Sequence, residues 1–134
     1  MALYIDSAFL NDIMNVTQTV PLAGITTNPS ILLAARERGQ DLSPQELLDA
    51  LVHSTTGLIF MQPGASEEEE MSAEALTYIE ASPKRVIPKI PMTHIGMRVA
   101  RQLKQQHYRL AFTAVTSVAQ AYNCLLYTSD AADE

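Results

Sequence analysis

The sequence predicts a parallel α/β sheet built from repeated strand–helix units. Two observations carry this. Short β-type runs at residues 3–6, 24–26, 58–62, 86–90 and 110–113 alternate with stretches of helical periodicity, and such alternation marks parallel strands joined by crossover helices. With 134 residues, 47% apolar and 18% charged, the chain also has the size and composition of one domain with a core of useful size. The strand–helix unit is the only repetition, and no interdomain linker interrupts it.

The first run, Leu3-Tyr4-Ile5-Asp6, follows the initial residues directly, with no basic and hydrophobic leader ahead of it. The second, Gly24-Ile25-Thr26, leads into Thr27, Asn28 and Pro29. Ser43-Pro44-Gln45-Glu46 then sets out a capping box with proline at the first helical position, ahead of the apolar Leu47, Leu48, Leu51 and Val52. After the third run, Ser66 to Glu69 repeats the device. The glutamates 67–70 would fall in a first helical turn, where the helix dipole favours negative charge, so the acidic run reads as a helix start rather than a metal site. The fourth run is followed by a helix expected to begin at Thr93, with Ile95, Val99 and Leu103 on one face and Arg98, Arg101 and Lys104 free to meet solvent.

Composition narrows the function classes. The formal charge of −6 is partly concentrated in the glutamate run and in the last five residues, and the nine basic residues form no stripe, which argues against a nucleic-acid partner. No apolar stretch approaches the roughly 20 residues of a membrane span. A cytoplasmic location is expected, and the single cysteine, Cys124, is compatible with a reducing compartment. His53, His94 and His107 have no ligand spacing, so no metal or other cofactor is expected. The six methionines are scattered like core fillers.

Substrates of parallel α/β proteins bind at the C-terminal ends of the strands. The residues that close or follow the five runs are Asp6, Asn28, Gln62, Lys89 and Thr113, and all are polar. Alternation along a strand pairs Tyr4 with Asp6, Phe60 with Gln62, Ile87 with Lys89 and Ala111 with Thr113 on common faces. One pocket could thus gather an acid, two amides, an amine and a hydroxyl. Lys89 emerges from the apolar run Val86-Ile87-Pro88-Lys89-Ile90-Pro91, and burial there is expected to disfavour the ammonium. A neutral amine can attack a ketone to give an iminium, the electron sink for breaking or making the adjacent C–C bond. A strand-end lysine can equally be a structural or surface residue.

The segments Leu-Tyr-Ile-Asp6, Leu22-Ala-Gly-Ile-Thr-Thr-Asn-Pro-Ser30, Lys89-Ile-Pro-Met-Thr93 and Thr113-Ala-Val resemble, in order and spacing, the signature segments of fructose-6-phosphate aldolases and small transaldolases. The resemblance covers residues 1–123, and Gly-Ile-Thr-Thr-Asn-Pro-Ser is its most specific part. It implies the N-terminal part, about five βα units, of a (β/α)8 TIM barrel. It also implies a class I aldolase that cleaves or forms fructose 6-phosphate from dihydroxyacetone and glyceraldehyde 3-phosphate. Lys89 then matches the Schiff-base lysine, and Asp6 lies near the substrate hydroxyls and the proton-relay water. Gln62 helps hold that water, and Thr27, Asn28 and Thr113 belong to the substrate pocket. The partner is a sugar phosphate, and the full-length protein is expected to be a homo-oligomer.

Two other readings stand beside this one. A transaldolase would transfer the dihydroxyacetone unit between sugar phosphates, and Gln62 in place of a glutamate weighs slightly against it. A non-catalytic α/β phosphate-binding module would use Lys89 as a phosphate contact. Pro88 departs from the family pattern, which has a β-branched residue there, and predicts either a bulge or a non-bonded ladder position. Pro63 and Gly64, after Gln62, predict an altered loop. Residues 124–134 resemble sequencing-adapter read-through and are expected to form a non-native tail on a barrel domain of residues 1–123. On this reading the family's later tyrosine, arginine and phosphate-binding serine fall outside the sequence, and the chain by itself is expected to be inactive.

Overall fold

The computed structural model of the chain describes residues 2–133. Its centre is a sheet of five parallel strands in the order β1-β2-β3-β4-β5: β1 (Tyr4–Asp6), β2 (Gly24–Thr26), β3 (Leu58–Met61), β4 (Val86–Pro91) and β5 (Ala111–Thr113). Neighbours in sequence are neighbours in space throughout. A sheet wound in one direction with its helices on one side is a sector of a (β/α)8 barrel, whereas a doubly wound sheet reverses its strand order and carries helices on both faces.

The helices are α1 (Leu10–Thr17), α2 (Pro29–Glu37), α3 (Pro44–Ser54), α4 (Glu68–Ala81), α5 (His94–Gln105) and α6 (Val118–Asp133). Their starts follow local chemistry. The Asn28 side chain accepts the Ile31 N–H at α2, with Pro29 at the first position, and Ser43 and Glu46 complete the expected capping box at α3. Thr93 accepts the Gly96 N–H at α5. The expected box at Ser66–Glu69 does not form: α4 begins one residue later, at Glu68, with Glu67 as its N-cap and no side-chain cap bond. Glu68, Glu69 and Glu70 occupy its first turn, where the dipole stabilises them, and Glu68 pairs with Arg98 of α5 at 3.1 Å.

Strand alternation divides the sheet into two unlike faces. Ile25, Ile59, Met61 and Val86 point into a core with Ile13 of α1, Ala35 of α2, Leu47, Leu48 and Leu51 of α3, and Tyr78 of α4. Ile90 belongs to a second cluster, with Met71, Ala75 and Ile79 of α4 and Val99, Ala100 and Leu103 of α5. The alternate residues face away from the helices. Among them Tyr4, Asp6, Thr26, Phe60, Lys89, Ala111 and Thr113 are exposed or half-buried, and Ile87 is the covered member.

Glycines mark where backbones must touch. A Cβ at Gly24 would collide with the Leu58 carbonyl and lie 2.9 Å from the Tyr4 ring. Its absence lets Tyr4 and Phe60 meet edge-on across β2, their centroids 5.9 Å apart. At Gly96 a Cβ would strike the Pro91 carbonyl, so the first turn of α5 can lie against the end of β4 only because no side chain intervenes.

Pro88 is buried within β4 without a bulge. β4 pairs with β3 through Val86, Ile87 and Pro88, and with β5 through Lys89, Ile90 and Pro91. Proline therefore stands where one ladder hands over to the other, where a missing N–H costs least. At the opposite end of the sheet, Arg85 donates to the Gly57 and Val52 carbonyls at 2.8 and 2.9 Å and to Thr55 Oγ1 at 3.2 Å, tying the α3–β3 turn to the start of β4.

α6 runs without a break across the boundary expected at Asn123, as far as Asp133. Val118, Tyr122, Leu125 and Leu126 on it are exposed. No helix among the described residues is long and apolar enough to cross a membrane.

Candidate active site

The register fixes which strand-end residues are neighbours. Asp6 pairs with Thr26, Thr26 with Phe60, and Phe60 with Ile87, which makes one row across the first four strands. Continuing by one residue pair along each strand places Asn28, Gln62 and Lys89 in the next row, and Lys89 is itself paired with Ala111. Thr113, paired with Pro91, stands one pair further on. The Met61–Pro88 pair sets the backbone of Gln62 next to that of Lys89, at about the 4.8 Å spacing of adjacent strands.

Asp6 is more distant. On an unrolled sheet it lies three strand spacings, about 14 Å, from Lys89 and about 7 Å lower. These two groups face one another only across the interior of a curled sheet. Asp6 is exposed at the end of β1, and Thr26 Oγ1 donates to its Oδ1 at 2.8 Å.

The structure separates the two threonines of the Thr26-Thr27 pair. Thr26 shares the helix-free face with Asp6. Thr27 is fully buried on the other side, its hydroxyl donating to the Phe60 carbonyl at 2.9 Å and lying 3.3 Å from Met61 Sδ. Its hydroxyl is spent inside the protein, and Thr26 is the threonine presented to the open face. Parity along β2 carried that signal, since Gly24 and Thr26 must share a side. Asn28 spends its side-chain oxygen on the cap of α2.

Parity also corrects the expected burial of Lys89. The apolar residues next to it in sequence, Pro88 and Ile90, point into the helix layer and are buried there. Only Ile87 and Pro91 share its face, and Lys89 is half-buried rather than enclosed.

Gln62 lines two clefts at the C-terminal ends of the strands. One, of about 270 Å³, is bounded by Pro29, Arg36, Gln62, Gly64, Glu74 and Tyr78 among others. The second, of about 460 Å³, runs from Gln62 and Pro63 past Ser66 to Pro91, Thr93 and His94. Lys89 is not among the residues lining either cleft. The loops beside these ends are held by long side chains. Gln40 donates to the Ala8 carbonyl at 2.6 Å and accepts the Leu10 N–H at 2.8 Å, which fixes the turn after Asp6. Arg38 pairs with Asp12 at 2.5 Å and stacks 3.7 Å above the Phe9 ring. Its hydrogen bond holds the Asp12 carboxyl below the usual carboxylate range.

Among the described residues, no group of three or more His, Cys, Asp or Glu side chains is placed to hold a metal ion. The arrangement therefore offers an amine, a carboxylate, amides and hydroxyls on one face of a parallel sheet.

A family model described as transaldolase/fructose-6-phosphate aldolase matches residues 3–132. The chain belongs to this family. The match spans nearly the whole sequence, including α6 beyond Asn123, and it agrees with the single-direction winding of the sheet. Aldolase-type chemistry follows for the family at large. Within the transaldolase/fructose-6-phosphate aldolase chain, the strand ends are where that chemistry is to be sought.

Proposed function

We infer that the protein is a class I aldolase that uses Lys89 as its Schiff-base nucleophile and interconverts fructose 6-phosphate with dihydroxyacetone and glyceraldehyde 3-phosphate. The observation that supports this most is the pairing of Lys89 with Ala111 on the face of the sheet that also carries the Thr26–Asp6 hydrogen bond, with Gln62 directly following β3, the neighbouring strand. An amine on a central strand with an amide beside it and a carboxylate across the interior is what imine chemistry needs.

In the cleavage direction, the Lys89 amine adds to the C2 ketone and water leaves, giving an iminium. A base then removes the C4 hydroxyl proton, the C3–C4 bond breaks, and its electron pair passes into the iminium as an enamine, releasing glyceraldehyde 3-phosphate. Protonation of the enamine at C3 and hydrolysis release dihydroxyacetone and restore the amine. The iminium is itself the electron sink, so the reaction calls on no cofactor. Asp6, oriented by Thr26, is suited to the substrate hydroxyls and to a relay water, and Gln62 to holding that water beside Lys89. Thr113, beyond Lys89 on the neighbouring strand, and the side-chain NH2 of Asn28, whose oxygen caps α2, would contact the ketose. Five of a closed barrel's eight strands stand among the described residues, and the proposed activity is that of the closed barrel.

Transaldolase remains the alternative within the family, and glutamine rather than glutamate at position 62 favours the aldolase. The two are separated by supplying fructose 6-phosphate without an acceptor aldehyde. An aldolase releases free dihydroxyacetone, whereas a transaldolase stalls as the covalent intermediate after one equivalent. A phosphate-binding module would release nothing and form no imine.

A further inference from the structure

The segment that follows Gln62 is held by a carboxylate from the helix layer. Glu74, in the second turn of α4, accepts the Gly64 N–H on Oε2 at 2.8 Å and the Ala65 N–H on Oε1 at 3.2 Å. Tyr78, one turn further along α4, donates its hydroxyl to the same Oε2 at 2.6 Å. Tyr78 is only 4% exposed and belongs to the core beneath the sheet, which anchors the carboxylate to the packed interior. Burial, and then the bond and charge of Glu74, push the Tyr78 hydroxyl well above the ordinary tyrosine range, so it remains a donor at working pH.

Two successive amides on one carboxylate, directly after a proline of fixed φ, leave the backbone at Gln62 little freedom to turn. Glu74 and Gln62 also border the same cleft of about 270 Å³. We propose that Glu74 is a positioning residue, which holds the β3–α4 loop so that the Gln62 amide stays level with the Lys89 amine while the imine exchanges its proton. The proposal rests on the Lys89 and Gln62 roles inferred above.

The test uses the full-length protein with dihydroxyacetone in deuterated water. Lys89 forms the iminium with loss of water, and the carbinol carbon gives a proton to the relay water as the enamine forms. A deuteron returns to that carbon, and hydrolysis releases singly deuterated dihydroxyacetone. Deuterium uptake therefore reads the proton step, while borohydride trapping reads imine formation. Glu74→Ala is expected to slow uptake about tenfold, the scale of a misplaced catalytic group, with trapping on Lys89 unchanged. Glu74→Gln, which keeps the shape and one accepting oxygen, should fall between the two and also serves if the alanine variant does not fold. In a Gln62→Ala background, Glu74→Ala should cause no further loss. Unchanged uptake in Glu74→Ala or Glu74→Gln, or fully additive losses in the double variant, would overturn the role of Glu74 alone. A wild type that traps no adduct on Lys89 would overturn the Lys89 reading and this role with it.

Discussion

Thr26 Oγ1 hydrogen-bonds to Asp6 Oδ1 at 2.8 Å, from β2 to β1 on the face of the sheet that no helix covers. The bond crosses the non-covalent gap between two strands at their C-terminal ends, and it fixes the rotamer of a carboxylate that would otherwise be free in solvent.

If Asp6 assists proton transfer, Asp6→Asn in the full-length protein should lower kcat by roughly 100-fold, the usual scale of acid–base assistance. Borohydride trapping should survive, because imine formation at Lys89 does not consume the carboxylate. Thr26→Val, which removes only the orienting donor, should cost less than Asp6→Asn. Steady-state kinetics on the two variants decide the matter, and an unchanged kcat in Asp6→Asn would leave Asp6 a structural acceptor.

Thr27 should behave in the opposite way. Its hydroxyl is buried and bonded to the Phe60 carbonyl, which also accepts the Thr27 N–H, so Thr27→Val should reduce stability by about 1 kcal/mol through the lost hydroxyl bond and leave KM for the ketose nearly unchanged. Denaturant unfolding and substrate titration measure the two effects separately. A large rise in KM at wild-type stability would return Thr27 to the substrate pocket.

Gly96 permits the close approach of α5 to β4, since any Cβ there would collide with the Pro91 carbonyl. Gly96→Ala must push the helix start away from the strand that carries Lys89, with a loss of about 1–3 kcal/mol on the scale of overpacked sites. A thermal melt that matches wild type would show that the contact relaxes without cost.

Tyr78 gives a pH signature. Its folded-state pKa is raised by burial and by Glu74, so the stability it contributes is fully present below the unfolded tyrosine value of about 10 and is lost as pH rises from there towards the folded value. Tyr78→Phe should therefore be less stable than wild type near neutrality, by about 1–2 kcal/mol for the lost bond to a charged acceptor. The gap should narrow above about pH 10. A difference in Tm that stays constant across that range would contradict the sign.

Most of the sheet could be read from the sequence because each strand is a short, largely apolar run set between helical stretches. Residues 24–26 match β2, and the other runs depart from their strands by one residue at an end. The capping box at Ser43 was equally legible, since both partners lie within one turn. Ser66 failed as a cap for a reason outside its own segment: Glu74, eight residues on, holds the Gly64 and Ala65 amides and carries the chain past Ser66 before the helix can begin. Long-range side-chain clamps of this kind, Gln40 on the β1–α1 turn among them, leave no local pattern. The surroundings of Lys89 were misjudged because sequence neighbours on a strand lie on opposite faces, so Pro88 and Ile90 enclose the core rather than the amine. Thr27, which the resemblance assigned to the pocket, lies on the helix side of β2 by the same alternation. Asp6, Gln62 and Lys89 were legible as polar residues at or near the ends of apolar runs, whereas their relative levels depend on a register that only the paired sheet supplies.

Reductive trapping examines Lys89 most directly. The full-length protein is incubated with dihydroxyacetone and borohydride, digested, and its peptides weighed. The adduct should appear on the peptide containing Lys89 and be absent from Lys89→Arg, whose guanidinium stays protonated and cannot attack a carbonyl. Labelling at Lys84 or Lys104 instead, or no adduct under conditions where fructose 6-phosphate is cleaved, would contradict the assignment of Lys89 as the nucleophile.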